Sequence, residues 1–168
     1  MNDQSWMPFR ELWESLQNHP VSQYIGFTAW FPFLESIHVI AIGLVVGSIL
    51  MVDLRLLGVT ALRYPVSRIV RELTPWTWGA VAVAIVTGSG MFVTRAPAYV
   101  ENPAFQLKGL FLLLAFVNMA IFQVRTFCRV DDWDSAASIP LPAKVAGAAS
   151  LVLWAAVILA GRWTGHII

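Results

Sequence analysis

The sequence predicts an all-α integral membrane protein: a four-helix antiparallel bundle in the bilayer, preceded by an N-terminal amphipathic helix at the interface. Hydrophobic residues make up 58% and charged residues 12% of the 168-residue chain, against roughly 45–50% and about 25% in soluble domains. The apolar residues gather in four runs, 31–57, 76–94, 105–127 and 141–164, each close to or beyond the ~20 residues that a spanning helix needs. These runs are continuously apolar, unlike the alternating ~10-residue segments of a membrane barrel. Only helices and closed barrels satisfy every backbone group in lipid, so the runs are read as helices.

Residues 1–27 form the interfacial segment and residues 28–168 the bundle. Phe9, Leu12, Trp13 and Leu16 recur at i, i+3, i+4 and i+7, with Arg10, Glu11 and Glu14 on other faces, the pattern of a short amphipathic helix between Ser5 and Asn18. Trp6, Trp13 and Trp30 are placed as interfacial aromatics, so this helix is expected to lie on the membrane surface. The alternative is a soluble helix packed on the loops. The first residues carry charges of both signs and no apolar core, so no cleavable signal peptide is expected. Each span opens at a proline, Pro32, Pro75, Pro103 or Pro140, which suits a first turn whose N–H groups have no partner in the helix.

The net charge of +1 and the scattered arginines provide no basic face, which argues against nucleic-acid binding. Cys128 is the single cysteine, so neither an internal disulfide nor a thiolate cluster can form. It is read as inert, near the membrane boundary. There is no HExxH, nucleophile elbow, phosphate loop or dinucleotide fingerprint, and no catalytic activity of the chain's own is expected. Arg55, Arg63, Arg68, Arg71, Arg125, Arg129 and Lys144 stand on one side of the membrane and Arg10, Arg95, Lys108 and Arg162 on the other. The richer side is read as cytoplasmic, which puts both termini outside.

Ionisable residues inside spans are costly, so each is a functional hypothesis. Glu35 and His38, at i and i+3 of span one, share a helix face. Antiparallel spans bring Thr87, Gly88, Ser89, Gly90 and Met91 of span two to the same outer level, with Lys108 of span three and Arg162 and His166 of span four; His19 is on that side too. The expectation is one polar pocket among Glu35, His38, Lys108 and Arg162. Four readings compete for it. His38 can be the axial ligand of a b-type haem, with Met91 or His166 opposite and Arg162 or Lys108 on the propionates. It can bind a transition metal with Glu35 and His166 or His19. The four residues can line a proton or anion path. Finally, Glu35 and His38 can satisfy each other or nearby backbone and serve packing alone.

Elsewhere, Asp53 is expected to meet Arg125 or Gln123 of span three, and Asn118 to donate an interhelical hydrogen bond. Gly43 and Gly47 form a GxxxG face suited to close packing, within the bundle or between copies.

The strings WFPFLESIHVIAIGLVVGSILMVDLRLLG (Trp30 to Gly58), VTGSGMF (Val86 to Phe92), ENPAFQLKGLFLLLAFVN (Glu101 to Asn118) and GRW (Gly161 to Trp163) resemble a family of small bacterial four-span membrane proteins of unknown function. More remotely, a span opening with a histidine followed by spaced glycines is similar to copper-resistance membrane domains and small four-helix b-type cytochromes. The family pattern often has a histidine late in span three, where this chain has Gln123, so a two-histidine haem is not carried over. The resemblance implies the fold and a bacterial inner membrane.

The first reading is therefore an accessory membrane subunit with an outer-leaflet site around His38 that holds haem b for electron transfer, or otherwise no cofactor. The alternative is a purely structural subunit of a larger membrane complex, and the third is ion or small-solute permeation. Besides the lipid bilayer, the expected partners are further copies of the chain or the other subunits of a complex.

Overall fold

The structure, a computed structural model, describes residues 10–134 and 139–167. The expected positions of Ser5, Trp6 and Phe9 lie outside the described residues. Every regular element among those described is helical. Two short helices, α1 (Arg10–Asn18) and α2 (Pro20–Phe27), lead into the long α3 (Trp30–Leu56) and α4 (Val66–Thr94). The short α5 (Ala96–Glu101) follows, then α6 (Pro103–Ile121). A π-helical turn, Phe122–Thr126, and a 3-10 turn, Phe127–Arg129, lead on to α7 (Val130–Trp133). Last comes α8 (Leu141–Ile167). Four stretches, Trp30–Leu56, Val66–Thr94, Pro103–Trp133 and Leu141–His166, are long and apolar enough to cross a membrane. The chain is a multi-pass membrane protein with a helical bundle.

The second long helix departs from expectation by starting at Val66, ten residues before Trp76, so that Pro75 lies inside it. Its start is set from elsewhere in the chain. The Asp134 carboxylate accepts the backbone N–H groups of Val66 at 2.6 Å and Ser67 at 3.2 Å, and also the Ser67 hydroxyl. An anion on otherwise unpaired N–H groups stabilises a helix N-terminus, and Pro65 occupies the cap position itself. An interior proline costs one backbone bond, and neighbouring helices and hydroxyls make this tolerable in membrane helices.

Helix α3 packs on α4 and α8, and α8 packs in turn on α6. Small residues make the close approaches possible: Ala80 and Thr87 are buried on α4, and Ala143, Gly147 and Ser150 on α8. Antiparallel registers follow from side-chain bonds. Thr77 Oγ1 donates to Ser48 Oγ at 2.7 Å between α4 and α3. Asn118 Nδ2 donates to the Ala146 carbonyl at 3.0 Å between α6 and α8, the interhelical bond expected of it. Asn102 caps α6 through Ala104 N–H at 2.9 Å and also donates to the Thr164 carbonyl at 3.2 Å. Gly43 and Gly47 are exposed, with nothing within 4 Å of an added Cβ, so their GxxxG face serves no packing within the described chain.

At the end far from His38, buried Leu56, Val66 and Ala143 form a small apolar core with Val52, Val70, Phe122, Trp133 and Ile139 packed around it. At the other end α1 rests on α5 and α4, with Trp13 edge-on to Phe92 at 5.8 Å. Trp13 and Leu16 of the expected apolar stripe are partly buried, whereas Leu12 is exposed.

Candidate functional site

His38 lies in the third turn of α3, half-buried against α4. Its Nδ1 is 2.9 Å from Thr87 Oγ1. The Thr87 hydroxyl already donates to the Val83 carbonyl at 2.7 Å, the back-bond that threonine makes inside helices, so towards His38 it is an acceptor. A neutral imidazole with its proton on Nδ1 suits this bond, and the Ala84 carbonyl stands beside the ring as a second acceptor. The ring occupies the space above Gly88, where a Cβ would stand 2.9 Å from Cε1 and 3.4 Å from Nδ1. Glycine is required there by close approach.

Lys108 comes from α6, three residues after Phe105. Its stem runs along Gly161 of α8, whose added Cβ would be 3.7 Å from Cδ and 3.9 Å from Nζ. The ammonium lies within electrostatic range of the His38 ring. The two ion pairs among the described residues are Arg10–Glu14 and Arg68–Glu72, and Lys108 is in neither. Lys108 stands near the start of its span, where a charged side chain costs less than at the bilayer centre.

An aromatic cluster sits one turn beyond this pair. Phe92 stacks on Phe105 with centroids 5.7 Å apart and on Tyr99 at 6.0 Å, and Tyr99 meets Phe105 at 5.4 Å. Phe92 follows Gly88 by four residues and Phe105 precedes Lys108 by three, so the rings stand on the site's own helix faces. The cluster thus stands about one turn beyond Gly88 on α4 and Lys108 on α6. Burial holds the Tyr99 phenol above its ordinary range, with Arg95 opposing and Glu35 reinforcing.

Of the four residues expected around one pocket, Lys108 lies within electrostatic range of His38 without a hydrogen bond to it. Glu35 is exposed, at the rim near Tyr99. Arg162 is exposed as well, because the residue after Gly161 is turned by about 100° from the face that receives Lys108. Met91 is half-buried one turn beyond Thr87, on the same face of α4. His166 is exposed near the end of α8. His19 caps α2, its Nδ1 accepting the Val21 N–H at 3.3 Å. Among the described residues no group of three or more His, Cys, Asp or Glu stands at metal-binding distance, so His38 has no such set of donors around it.

Asp53 corrects another expectation. Its carboxyl bonds with Ser150 of α8 and not with Arg125 or Gln123, which are exposed on the π-helical turn. The reason is that α3 packs on α8 and not on α6, with Gly147 so close that a Cβ there would stand 3.2 Å from the Asp53 carbonyl oxygen. Arg55 turns the other way, donating from Nε to the Tyr64 carbonyl at 2.9 Å. Cys128 is exposed, its Sγ 2.8 Å from the Val124 carbonyl. The aromatic cluster, the Thr87 bond and the Asp134 cap were not foreseen. Thr87 had a signal, standing beside two glycines at the level of His38, but Asp134 lies 68 residues from Val66 and had none.

A multi-pass helical membrane bundle is the class of protein that the fold defines. Within that class, the chain belongs to the family of unknown function DUF6644, whose family model matches residues 16–167 and so takes in all four spans. No curated protein and no solved structure matches the chain.

Proposed function

We propose that this chain is an accessory subunit of the bacterial inner membrane, with both termini in the periplasm, whose working element is the His38 site. The group it takes is a b-type haem, which when bound supplies one-electron transfer. The observation that carries this reading is the His38–Thr87 bond at 2.9 Å. A ligating histidine is held by a partner on its other ring nitrogen, which sets the tautomer and aims the lone pair. Here Thr87 would be that partner, with Nε2 as the nitrogen that meets the group. Lys108 would supply a cation for the carboxylates of the group, and Met91, on the same face of α4 as Thr87, would supply a thioether donor. The donor chemistry thus fits a single-histidine haem. Further copies of this chain or other subunits are the partners in this reading, since a subunit that only carries electrons needs a donor and an acceptor.

Permeation is the weaker reading, because the apolar core at Leu56, Val66 and Ala143 and the aromatic cluster at Phe92 and Phe105 stand at the two ends of any path through the bundle. The visible absorption spectrum of protein purified from haem-replete membranes is the test. A Soret band that His38→Ala abolishes is expected. A wild-type protein without one, even after haem is added, leaves the structural-subunit reading in its place.

A further inference from the structure

A crevice of about 180 Å³ lies at the end of the bundle where α3 begins and α4 ends, and it rests neither on the His38 reading nor on the orientation of the chain. Gln17, Ser22 and Gln23 of the two N-terminal helices line it, with Thr94 and Arg95 at the end of α4. Phe27 and Phe31 are the large apolar residues of its wall. Helix α2 lies against α4 there, since a Cβ added at Gly26 would stand 3.5 Å from Thr94 Cβ.

Two of the polar side chains already have partners. Gln23 Nε2 donates to the Gln17 carbonyl at 2.7 Å, and Thr94 Oγ1 donates to the Met91 carbonyl at 2.7 Å. Ser22 is only 4% exposed, yet its hydroxyl has no hydrogen-bond partner among the described residues and is not sealed from outside. What surface it keeps is at the crevice that it lines. Arg95 is exposed and belongs to neither of the two ion pairs among the described residues. No described carboxylate lines the crevice, and Glu35, one turn along α3 from Phe31, is outside its wall. The formal charge of the described wall is therefore the single positive charge of Arg95.

A buried hydroxyl without a partner calls for an explanation. A guanidinium fork matches phosphate oxygens and makes charge-assisted hydrogen bonds to them, and a serine hydroxyl is a further donor. The crevice stands where two spanning helices meet the membrane boundary, which is the level of lipid headgroups. On its apolar side Phe27 is 86% exposed, a surface that acyl chains cover at less cost than water does. The volume is close to the ~150 Å³ of a cavity that holds one benzene, which is room for a phosphate and its glycerol with the chains left outside. An anionic headgroup matches the Arg95 charge, whereas a choline headgroup brings a second cation to a wall with no carboxylate to meet it.

We propose that this crevice holds one anionic glycerophospholipid, its phosphate on Arg95 and the Ser22 hydroxyl and its acyl chains along Phe27.

The test is native mass spectrometry of the full-length protein in detergent, titrated with phosphatidylglycerol or with phosphatidylcholine of the same chains. One saturable phosphatidylglycerol is expected, bound about tenfold tighter than phosphatidylcholine, the worth of one charge-assisted hydrogen bond. Arg95→Gln should remove that preference, and Ser22→Ala should weaken phosphatidylglycerol by a smaller factor, as loss of a neutral donor implies. Arg63→Gln, which removes an exposed cation at the opposite end of the bundle, should leave the preference in place. Glycerol phosphate in excess should not displace the lipid. Equal affinity for the two lipids, or a loss in Arg95→Gln no greater than in Arg63→Gln, would overturn the proposal. Displacement by glycerol phosphate would overturn it too, in favour of a soluble phosphate ester. The comparison of lipids uses the unaltered protein, so it decides the matter even if a variant fails to fold.

Discussion

Nδ1 of His38 stands 2.9 Å from the Thr87 hydroxyl oxygen of the neighbouring helix, and this bond joins α3 to α4. Removing the hydroxyl takes from the part-buried ring the partner that ties it to Thr87, with the Ala84 carbonyl left beside it. Thr87→Val, which keeps the shape, should therefore lower stability by about 1–3 kcal/mol. Thr87→Ser should recover most of the loss, as read by thermal unfolding in detergent.

Gly88 and Gly43 make a contrasting pair. An added Cβ at Gly88 meets His38 Cε1 at 2.9 Å, whereas at Gly43 it meets nothing within 4 Å. Gly88→Ala should displace the imidazole and destabilise the protein by about 1–3 kcal/mol, as overpacking does. Gly43→Ala should lie within about 0.5 kcal/mol of the unaltered protein. Equal behaviour of the two variants would mean that the ring does not rest on Gly88.

Lys108 separates a ligand role from a packing role. Lys108→Met keeps much of the stem that lies along Gly161 and removes the charge. Because a charge within a span carries a cost, if a smaller one near its start, the variant should unfold no more easily than the unaltered protein. On the haem reading it should also retain less haem through detergent purification. Retention equal to the unaltered protein would remove Lys108 from the site.

Asp134 gives a test remote from His38. Its carboxylate carries the first two N–H groups of α4, so Asp134→Ala should cost about 0.5–2 kcal/mol, the worth of a helix cap. Limited proteolysis should then cut sooner between Leu57 and Pro65, the segment joining α3 to α4.

Orientation can be read with a reporter active only in the cytoplasm. It should be silent after Ile168 and active when inserted between α3 and α4, where Arg63 stands. Activity after Ile168 would reverse the orientation argued from the arginines and lysines.

Much of this was legible because lipid imposes strict terms on a sequence. Continuous apolar runs of spanning length have one outcome in a bilayer, so the number of spans, their approximate limits and their antiparallel order follow from the chain alone. Depth is legible for the same reason: counting residues along antiparallel helices brings His38, Thr87, Gly88 and Lys108 to one level. Rotation about each helix axis is not. On an all-apolar helix no amphipathic stripe tells which side faces a neighbour, and α3 and α6 have no such stripe in their sequences. Which helices touch was therefore decided by tertiary packing, through small residues such as Gly88, Gly147 and Gly161 that let a particular partner approach. That packing turned Lys108 inward and Arg162 outward, gave Asp53 to Ser150 of α8 instead of a residue on α6, and brought Asp134 back to begin α4 ahead of Pro75.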